Sequence, residues 1–170
     1  MRVVRVLASV LLLILFAAEA KAEEQGKEKL NALFEATMKD IHGEPMTLSQ
    51  FRGKPLIISF WARWCVPCRD EFPEFMALRK KHKKQGLTVL GVALEEDPVK
   101  VREFFVAYEV DYPTALIDKE EGYSLMKPLG NEDKVLPFTL LINRKGEIVL
   151  SKRGVFKKSD FQGVARKVLR

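Results

Sequence analysis

The chain has 170 residues, 29 basic and 23 acidic side chains, a formal net charge of +6 and only two cysteines. Two cysteines allow one intramolecular disulfide, which excludes a framework of several disulfides. A structural zinc site needs four protein ligands, and His42 and His82 are isolated in the sequence, so zinc is not expected. Without internal repeats or low-complexity tracts, the chain predicts one domain after its N-terminal segment.

The first 22 residues have the order of a secretory signal. Arg2 and Arg5 precede an apolar run over residues 6–18, and small residues follow at Ala20 and Ala22. A helix needs about 20 apolar residues to cross a hydrocarbon core of about 30 Å. The shorter run therefore predicts a cleaved signal peptide over residues 1–22, with an uncleaved membrane anchor as the alternative.

The rest of the chain divides into a short charged segment and a longer segment of mixed composition. Residues 23–30 are rich in Glu and Lys and predict a charged linker, and residues 31–170 are long enough for one domain with its own core. Export would place the chain in the periplasm or at the outer face of a bacterial inner membrane, where disulfides persist. Nucleic acid is not an expected partner there, and membrane association is expected only if the signal stays uncleaved.

Hydrophobic patterning predicts the first elements of the domain. Residues 33–38 and 45–48 flank a turn at 42–44 and predict a short N-terminal hairpin. The run over residues 56–64 is mainly apolar and has the length of a buried strand. Both cysteines follow directly after this strand.

A helix is predicted over residues 66–85. Phe72 and Phe75 lie on its apolar face, and Gly86 ends it. Pro73 lies inside this range, so we expect it to kink the helix.

The second half predicts alternating strands and helices. Residues 87–94 form a second buried strand, and Asp97 and Pro98 have the types expected at the N-cap and first position of a helix. The remaining elements are a strand, a helix, a hairpin and an amphipathic helix over residues 112–117, 119–127, 137–152 and 161–169. This order predicts an α/β fold with a central mixed sheet covered by helices on both faces.

The two cysteines lie where the first buried strand meets a helix. A thiolate at a helix N-terminus is stabilised by free N–H groups and the helix dipole, so we expect Cys65 to be unusually acidic and nucleophilic. A disulfide between Cys65 and Cys68 would close a nearly minimal loop, which adds little stability. The pair therefore indicates a redox dithiol at the carboxyl end of a central strand, where α/β sheets place their sites.

Positive charge gathers at the end of the helix behind the dithiol, at Lys80, Lys81, Lys83 and Lys84. Cations there complement the helix dipole, so the simplest interpretation is a solvated helix end. The alternative is a surface that attracts acidic partners or anionic lipid headgroups.

The residues around the dithiol resemble the thioredoxin superfamily and, within it, the exported TlpA/ResA/CcmG-like thiol-disulfide reductases. The most specific match is FWARWCVPC at residues 60–68, followed by Pro73 and by Leu136 and Pro137 before the later hairpin. The resemblance covers residues 32–169 and implies a thioredoxin-like fold with an N-terminal hairpin and an inserted strand-helix unit.

The resemblance also implies roles for individual residues. Cys65 would be the exposed attacking thiolate and Cys68 the buried resolving thiol of a redox-active disulfide. Trp64, Leu136 and Pro137 would bind substrate beside the dithiol, with a cis peptide bond before the proline. Such a bond is a minority state, about 5% of X-Pro bonds in folded proteins, and the residues alone favour an ordinary trans proline at a strand start.

Glu71 lies three residues after Cys68, on the same helical face. It matches a glutamate that the ResA-like branch carries in its active-site cavity, so we predict that it manages the proton of the resolving thiol. The alternative is a surface carboxylate in the first helical turn. Ser59 stands where thioredoxins carry a buried aspartate.

Strong oxidants of this fold place a histidine between the cysteines, whereas this chain has Val66 and Pro67, which favours a reductant. The resemblance implies protein disulfides as substrates, apocytochrome c among them, and a membrane electron-transfer protein as reductant. No cofactor is expected. Two alternatives stay open: a peroxiredoxin-like peroxidase, although Arg63 and Trp64 depart from its pattern, and a metal chaperone in which the dithiol binds Cu(I).

Overall fold

A computed structural model describes residues 24–170 together with Ala17 and Lys21. Apart from those two positions, the predicted signal peptide over residues 1–22 lies outside the described residues. In the described part of the chain, no helix has the length and apolar character needed to span a bilayer.

Seven strands form one sheet. They are β1 (Met38–Asp40), β2 (Pro45–Met46), β3 (Leu56–Trp61), β4 (Thr88–Leu94), β5 (Thr114–Ile117), β6 (Phe138–Ile142) and β7 (Ile148–Arg153). Their order is β2-β1-β5-β4-β3-β6-β7. Strands β3, β4 and β5 are parallel, and the other pairs are antiparallel. The sheet is therefore mixed, as predicted, and β3 lies near its centre.

The described α-helices are α1 (24–35), α2 (Phe72–Lys81), α3 (Pro98–Ala107), α4 (Lys119–Met126) and α5 (Lys158–Leu169). Short 3-10 helices cover Leu48–Phe51, Val66–Glu71, Lys83–Gln85 and Lys127–Leu129. The predicted start of α3 is confirmed, because the Asp97 carboxylate accepts hydrogen bonds from the first free N–H groups and Pro98 follows it.

Helices cover both faces of the sheet. On one face, the Trp61 ring packs on Phe72 of α2, with centroids 5.2 Å apart, and on two phenylalanines of α3. A Cβ atom on Gly91 would approach Trp61 Nε1 to 3.0 Å, so Gly91 faces the same way. Leu94 is three residues further along β4 and faces the opposite side, where α4 packs against it at Gly122. The predicted two-sided covering is confirmed.

The N-terminal elements differ from prediction. Residues 24–30, expected in a linker, belong to α1, because this helix places Leu30, Leu33 and Phe34 in the core and only its other faces carry charge. The expected hairpin is correspondingly shorter and begins only at Met38.

The segment after the dithiol also differs from prediction. Residues 66–71 form a 3-10 helix, and α2 begins only at Phe72, so the expected single helix over residues 66–85 is wrong. Pro73 therefore lies in the first turn of α2, where its missing N–H breaks no hydrogen bond. Gly86 ends the segment with φ of 76°, as the sequence predicts.

Candidate active site

The dithiol lies just beyond the carboxyl end of β3 and is oxidised. Cys65 and Cys68 form a disulfide with their Cα atoms 5.5 Å apart. The Cys65 N–H donates to the Ala62 carbonyl at 3.0 Å, which folds the chain back at the end of the strand. Cys65 is 4% exposed and Cys68 fully buried. The order of accessibility agrees with the resemblance, but Cys65 is more buried than the exposed thiolate that the resemblance implies.

The helix that follows Cys65 is a 3-10 helix rather than the start of an α-helix. Cys65 is its N-cap and Pro67 lies in its first turn. Because a 3-10 helix has about 3.0 residues per turn, side chains three apart lie above one another. Cys68 and Glu71 are three apart and both fully buried. The 3-10 geometry thus brings the Glu71 carboxyl to the face of the helix that carries Cys68.

Glu71 is a buried acid. Its Oε1 accepts a hydrogen bond from the Phe156 N–H. Burial raises the pKa of Glu71 to about 8, although the hydrogen bond from the Phe156 N–H opposes the shift. The carboxyl therefore carries its proton at neutral pH, and the alternative of a surface carboxylate is wrong.

A row of small polar residues crosses the sheet beneath Glu71. Ser59 of β3 is paired with Thr139 of β6 and with Gly91 of β4, which is paired in turn with Thr114 of β5. Directly paired residues point to one face of a sheet. A Cβ atom on Gly91 would lie 2.4 Å from Thr114 Oγ1, so glycine leaves the space that this hydroxyl occupies.

Six side-chain atoms in and around this row are buried and have no hydrogen-bond partner in the described chain. They are Ser59 Oγ, Trp61 Nε1, Glu71 Oε2, Tyr112 Oη, Thr114 Oγ1 and Thr139 Oγ1. Burial and the charge of Glu71 also raise the pKa of Tyr112. Glu71 thus faces a polar layer in an otherwise apolar core. Sequence analysis found only Ser59 and Glu71, because the row depends on the register of four strands.

Two charged side chains hold the loop before Cys65 in place. Glu95 follows β4, and its carboxylate accepts bonds from the Arg63 backbone N–H at 2.8 Å and from Nε and Nη2 of the Arg63 guanidinium at 3.1 and 3.0 Å. Arg69 donates to the Arg63 carbonyl at 3.0 Å and lies over the rings of Phe104 and Tyr108. Both backbone polar groups of Arg63 are therefore bonded to side chains. Sequence analysis missed Glu95; its position directly after a strand parallel to β3 was the available signal.

Removing the Glu95 carboxylate is expected to destabilise the oxidised protein by about 2–4 kcal/mol, because Glu95→Ala leaves a half-buried guanidinium and a backbone N–H without their partner. Urea unfolding at pH 7 measures the loss. The matched control is Asp111→Ala, which breaks the exposed Arg79–Asp111 pair and should cost less than about 1 kcal/mol. Equal losses in the two variants would contradict this role for Glu95.

The residues predicted to bind substrate lie at the same end of the sheet as the dithiol. The Leu136-Pro137 peptide bond is cis, in agreement with the resemblance. Pro137 directly precedes β6, whose Phe138 is paired with Phe60 near the end of β3. Trp64 is 54% exposed, and the Lys119 ammonium lies 5.6 Å from its ring centroid. The geometry thus places a cis-proline and an exposed aromatic ring at the dithiol end, and their contact with substrate remains a prediction.

The histidines belong to other parts of the fold. His42 lies in the exposed β1–β2 turn, and His82 packs on Phe161 and bonds to Gln85. Among the described residues, no group of three or more His, Cys, Asp or Glu side chains is arranged to bind a metal ion.

Solved structures share this architecture. A putative thiol:disulfide interchange protein DsbE from Chlorobium tepidum superposes with a TM-score of 0.64 at 26% identity, over 79% of this chain and 90% of that chain. StoA from Bacillus subtilis superposes with a TM-score of 0.58 at 29% identity, over 76% of this chain and 95% of that chain. Together with the Cys65–Cys68 pair, the fold defines a thioredoxin-like thiol-disulfide oxidoreductase.

Sequence comparison agrees with this class. The pattern of the family described as Redoxin matches residues 28–168, and the chain belongs to that family. The thiol-disulfide oxidoreductase ResA of Bacillus subtilis (strain 168) is 33% identical over 141 residues, which are 79% of this chain and 74% of that protein. ResA of Bacillus cereus (strain ATCC 10987 / NRS 248) is 28% identical over 153 residues, or 90% of this chain and 83% of that protein.

Proposed function

We propose that this chain is an exported protein-disulfide reductase. The observation that carries the proposal is the Cys65–Cys68 disulfide at the end of β3 with the protonated, buried Glu71 one 3-10 turn beyond Cys68. A structural staple would not need a titratable group beneath it, whereas thiol exchange moves a proton at each step. Val66 and Pro67 between the cysteines favour the reducing direction.

The reaction has two exchange steps. The Cys65 thiolate attacks one sulfur of a substrate disulfide, forms a mixed disulfide and releases the other substrate sulfur as a thiolate. Cys68 then attacks the Cys65 sulfur, re-forms the Cys65–Cys68 bond and releases the second substrate thiolate. Two electrons pass to the substrate, whose thiolates take protons from solvent.

Glu71 is proposed to hold the proton that Cys68 must lose before it attacks. Burial raises the pKa of Glu71 to about 8, so its ionised form is a stronger base than an ordinary carboxylate and is better matched to a buried thiol. In the oxidised structure Glu71 carries its proton, as expected after Cys68 has given one up. An electron donor that reduces the disulfide would receive a ready proton for Cys68 at the same position.

The cellular setting is proposed from the sequence. A signal over residues 1–22 would export a domain over residues 31–170 to the periplasm or the outer face of a bacterial inner membrane. There, oxidised protein must be reduced again, and a membrane electron-transfer protein is the proposed donor. Protein disulfides are the proposed substrates, apocytochrome c among them, with Trp64, Leu136 and Pro137 as the contact surface.

The midpoint potential of the Cys65–Cys68 couple tests the direction of electron flow. We expect a value below about −220 mV, because no histidine between the cysteines stabilises the reduced thiolate. Tryptophan fluorescence in defined thiol buffers measures this potential, since Trp64 adjoins Cys65. Cys68→Ser is the control, because it cannot form the disulfide. A value near −120 mV would show an oxidant. Absence of a reversible couple, with stoichiometric Cu(I) binding to the reduced protein, would favour the metal chaperone.

A further inference from the structure

The end of the sheet opposite the dithiol carries a continuous basic surface, here called the cationic pole. It is formed by the segments before β3 and β4, the β6–β7 turn and the end of α5. Its members are Lys54, Lys83, Arg144, Lys145, Arg166 and Lys167. Because β3 and β4 are parallel, residues that precede these strands lie at the opposite end from Cys65, which follows β3.

Two grooves and one hydrogen bond show that the cationic pole is one surface. Lys54, Arg144 and Lys145 line one groove, and Lys145 lines a second with Arg166 and Lys167. The Arg144 guanidinium donates to the Gln85 carbonyl, which joins the β6–β7 turn to the connection that contains Lys83. Residues distant in sequence thus place their charges side by side.

The charge of this surface is not neutralised locally. In the described part of the chain, none of its six side chains forms an ion pair. Two carboxylates lie nearby: Asp111, in a groove with Lys83, is paired with Arg79, and Glu147, in the groove of Lys145 and Arg166, bonds to the neutral Asn143 and keeps its charge. The six cations therefore exceed the one unpaired carboxylate among them. At the other end of the parallel strands, a groove contains Glu95, Glu96, Asp118 and Glu121 together with one lysine, Lys39. Glu95 is paired with Arg63, and the groove still keeps a net negative charge. The two ends of the strands therefore differ in charge, because the cationic pole is positive and this groove is negative.

We propose that the cationic pole binds an anionic phospholipid surface and turns the dithiol end away from it. Attraction between exposed charges is effective within a Debye length of about 8 Å at physiological salt, so it favours an orientation with the six cations against the headgroups. The acidic groove at the dithiol end disfavours the reverse orientation. The apolar run over residues 6–18 delivers the chain to a membrane during export, so such a surface is present where the domain folds.

The exposed apolar side chains favour a lipid surface over an acidic protein. Protein interfaces are centred on buried aromatic and apolar anchors. In the described chain, the large exposed apolar residues are Trp64, Val66, Val99, Val106 and Tyr108. All lie in the dithiol segment or in and directly after α3, and none belongs to the cationic pole.

Sedimentation with vesicles tests the proposal on the full-length chain. Vesicles of phosphatidylcholine alone report binding by the N-terminal apolar run, and vesicles that also contain phosphatidylglycerol report the added electrostatic binding. We expect tighter binding to the anionic vesicles than to phosphatidylcholine alone, and we expect this difference to disappear at high salt. The triple variant Lys83→Glu, Lys145→Glu and Arg166→Glu should reduce that gain by more than about tenfold.

The matched control reverses three exposed lysines outside the cationic pole, Lys39, Lys127 and Lys158, and therefore has the same net charge. It should keep most of the binding, and both variants should reduce a small soluble disulfide at the wild-type rate. Equal loss in the two triple variants would overturn the proposal, because net charge alone would then explain binding. So would binding of wild type to polyglutamate but not to anionic vesicles, which would assign the surface to an acidic protein.

Trp64 reports the orientation. It is exposed beside the dithiol, whereas Trp61 is buried. On anionic vesicles, Trp64 should stay open to quenching by aqueous acrylamide and should not be quenched by brominated lipid chains. Strong quenching by the brominated lipid would place the dithiol end against the membrane and overturn the proposed orientation.

Discussion

Cys68→Ser is expected to abolish multiple turnover and to trap the substrate on Cys65 as a stable mixed disulfide. Cys65 still attacks, but no second thiol one turn away can release the product, and serine is a far weaker nucleophile toward sulfur. Incubation of the reduced variant with a protein disulfide, followed by non-reducing electrophoresis and mass measurement, should show one covalent adduct per chain.

The reciprocal variant provides the control. Cys65→Ser should lose turnover without forming the adduct, because Cys68 is fully buried even in the disulfide state, in which Cys65 keeps slight exposure. An adduct of equal yield in both variants would show that either cysteine can attack, and would contradict the proposed division of roles.

Glu71→Gln is expected to remove a large pH-dependent loss of stability from the oxidised protein. The pKa of Glu71 is about 8 in the folded chain and 4.5 in the reference state, so between these values the folded state binds a proton that the unfolded state lacks. The protonated Glu71 carboxyl therefore makes its full contribution to the free energy of unfolding below pH 4.5, and this contribution is lost as pH rises through 8. At 1.36 kcal/mol per pKa unit, the loss is at most about 5 kcal/mol.

Glutamine keeps the acceptor for the Phe156 N–H but cannot ionise, so its unfolding free energy should change much less between pH 5 and 9. Urea unfolding across this range measures the difference. Glu74→Gln is the matched control, since Glu74 lies in the first turn of α2 and is only half-buried. If wild type and Glu71→Gln show parallel pH profiles, Glu71 does not carry its proton in the folded state.

The same variant tests the proposed catalytic role. In wild type, release of the mixed disulfide should speed up as pH rises through 8, where Glu71 ionises and can accept the Cys68 proton. Glu71→Gln should lack this increase until the thiol itself ionises. Stopped-flow measurement of product release separates this step from the initial attack by Cys65, which should be unaffected. An unchanged pH profile for release would limit Glu71 to a structural role.

Local sequence patterns were sufficient to predict the secondary-structure elements that neighbouring residues determine. The buried strand, the dithiol directly behind it, the capped start of α3 and the final hairpin all follow from periodicity, turn residues and cap residues. The mistakes occurred where packing overrides local preference. Residues 24–30 carry the charges of a linker yet extend a helix anchored by three buried side chains, and Val66–Glu71 forms a 3-10 helix where an α-helix was expected.

The sequence by itself determined the redox chemistry, because both sulfur atoms and the strand that presents them lie within a short stretch of chain. Only the tertiary structure decided the environment of that chemistry. The burial of Glu71, the bonds from Arg63 to Glu95 and the continuity of the cationic pole each join residues more than 20 positions apart. Their proximity depends on strand order and register, and neither is encoded in local periodicity.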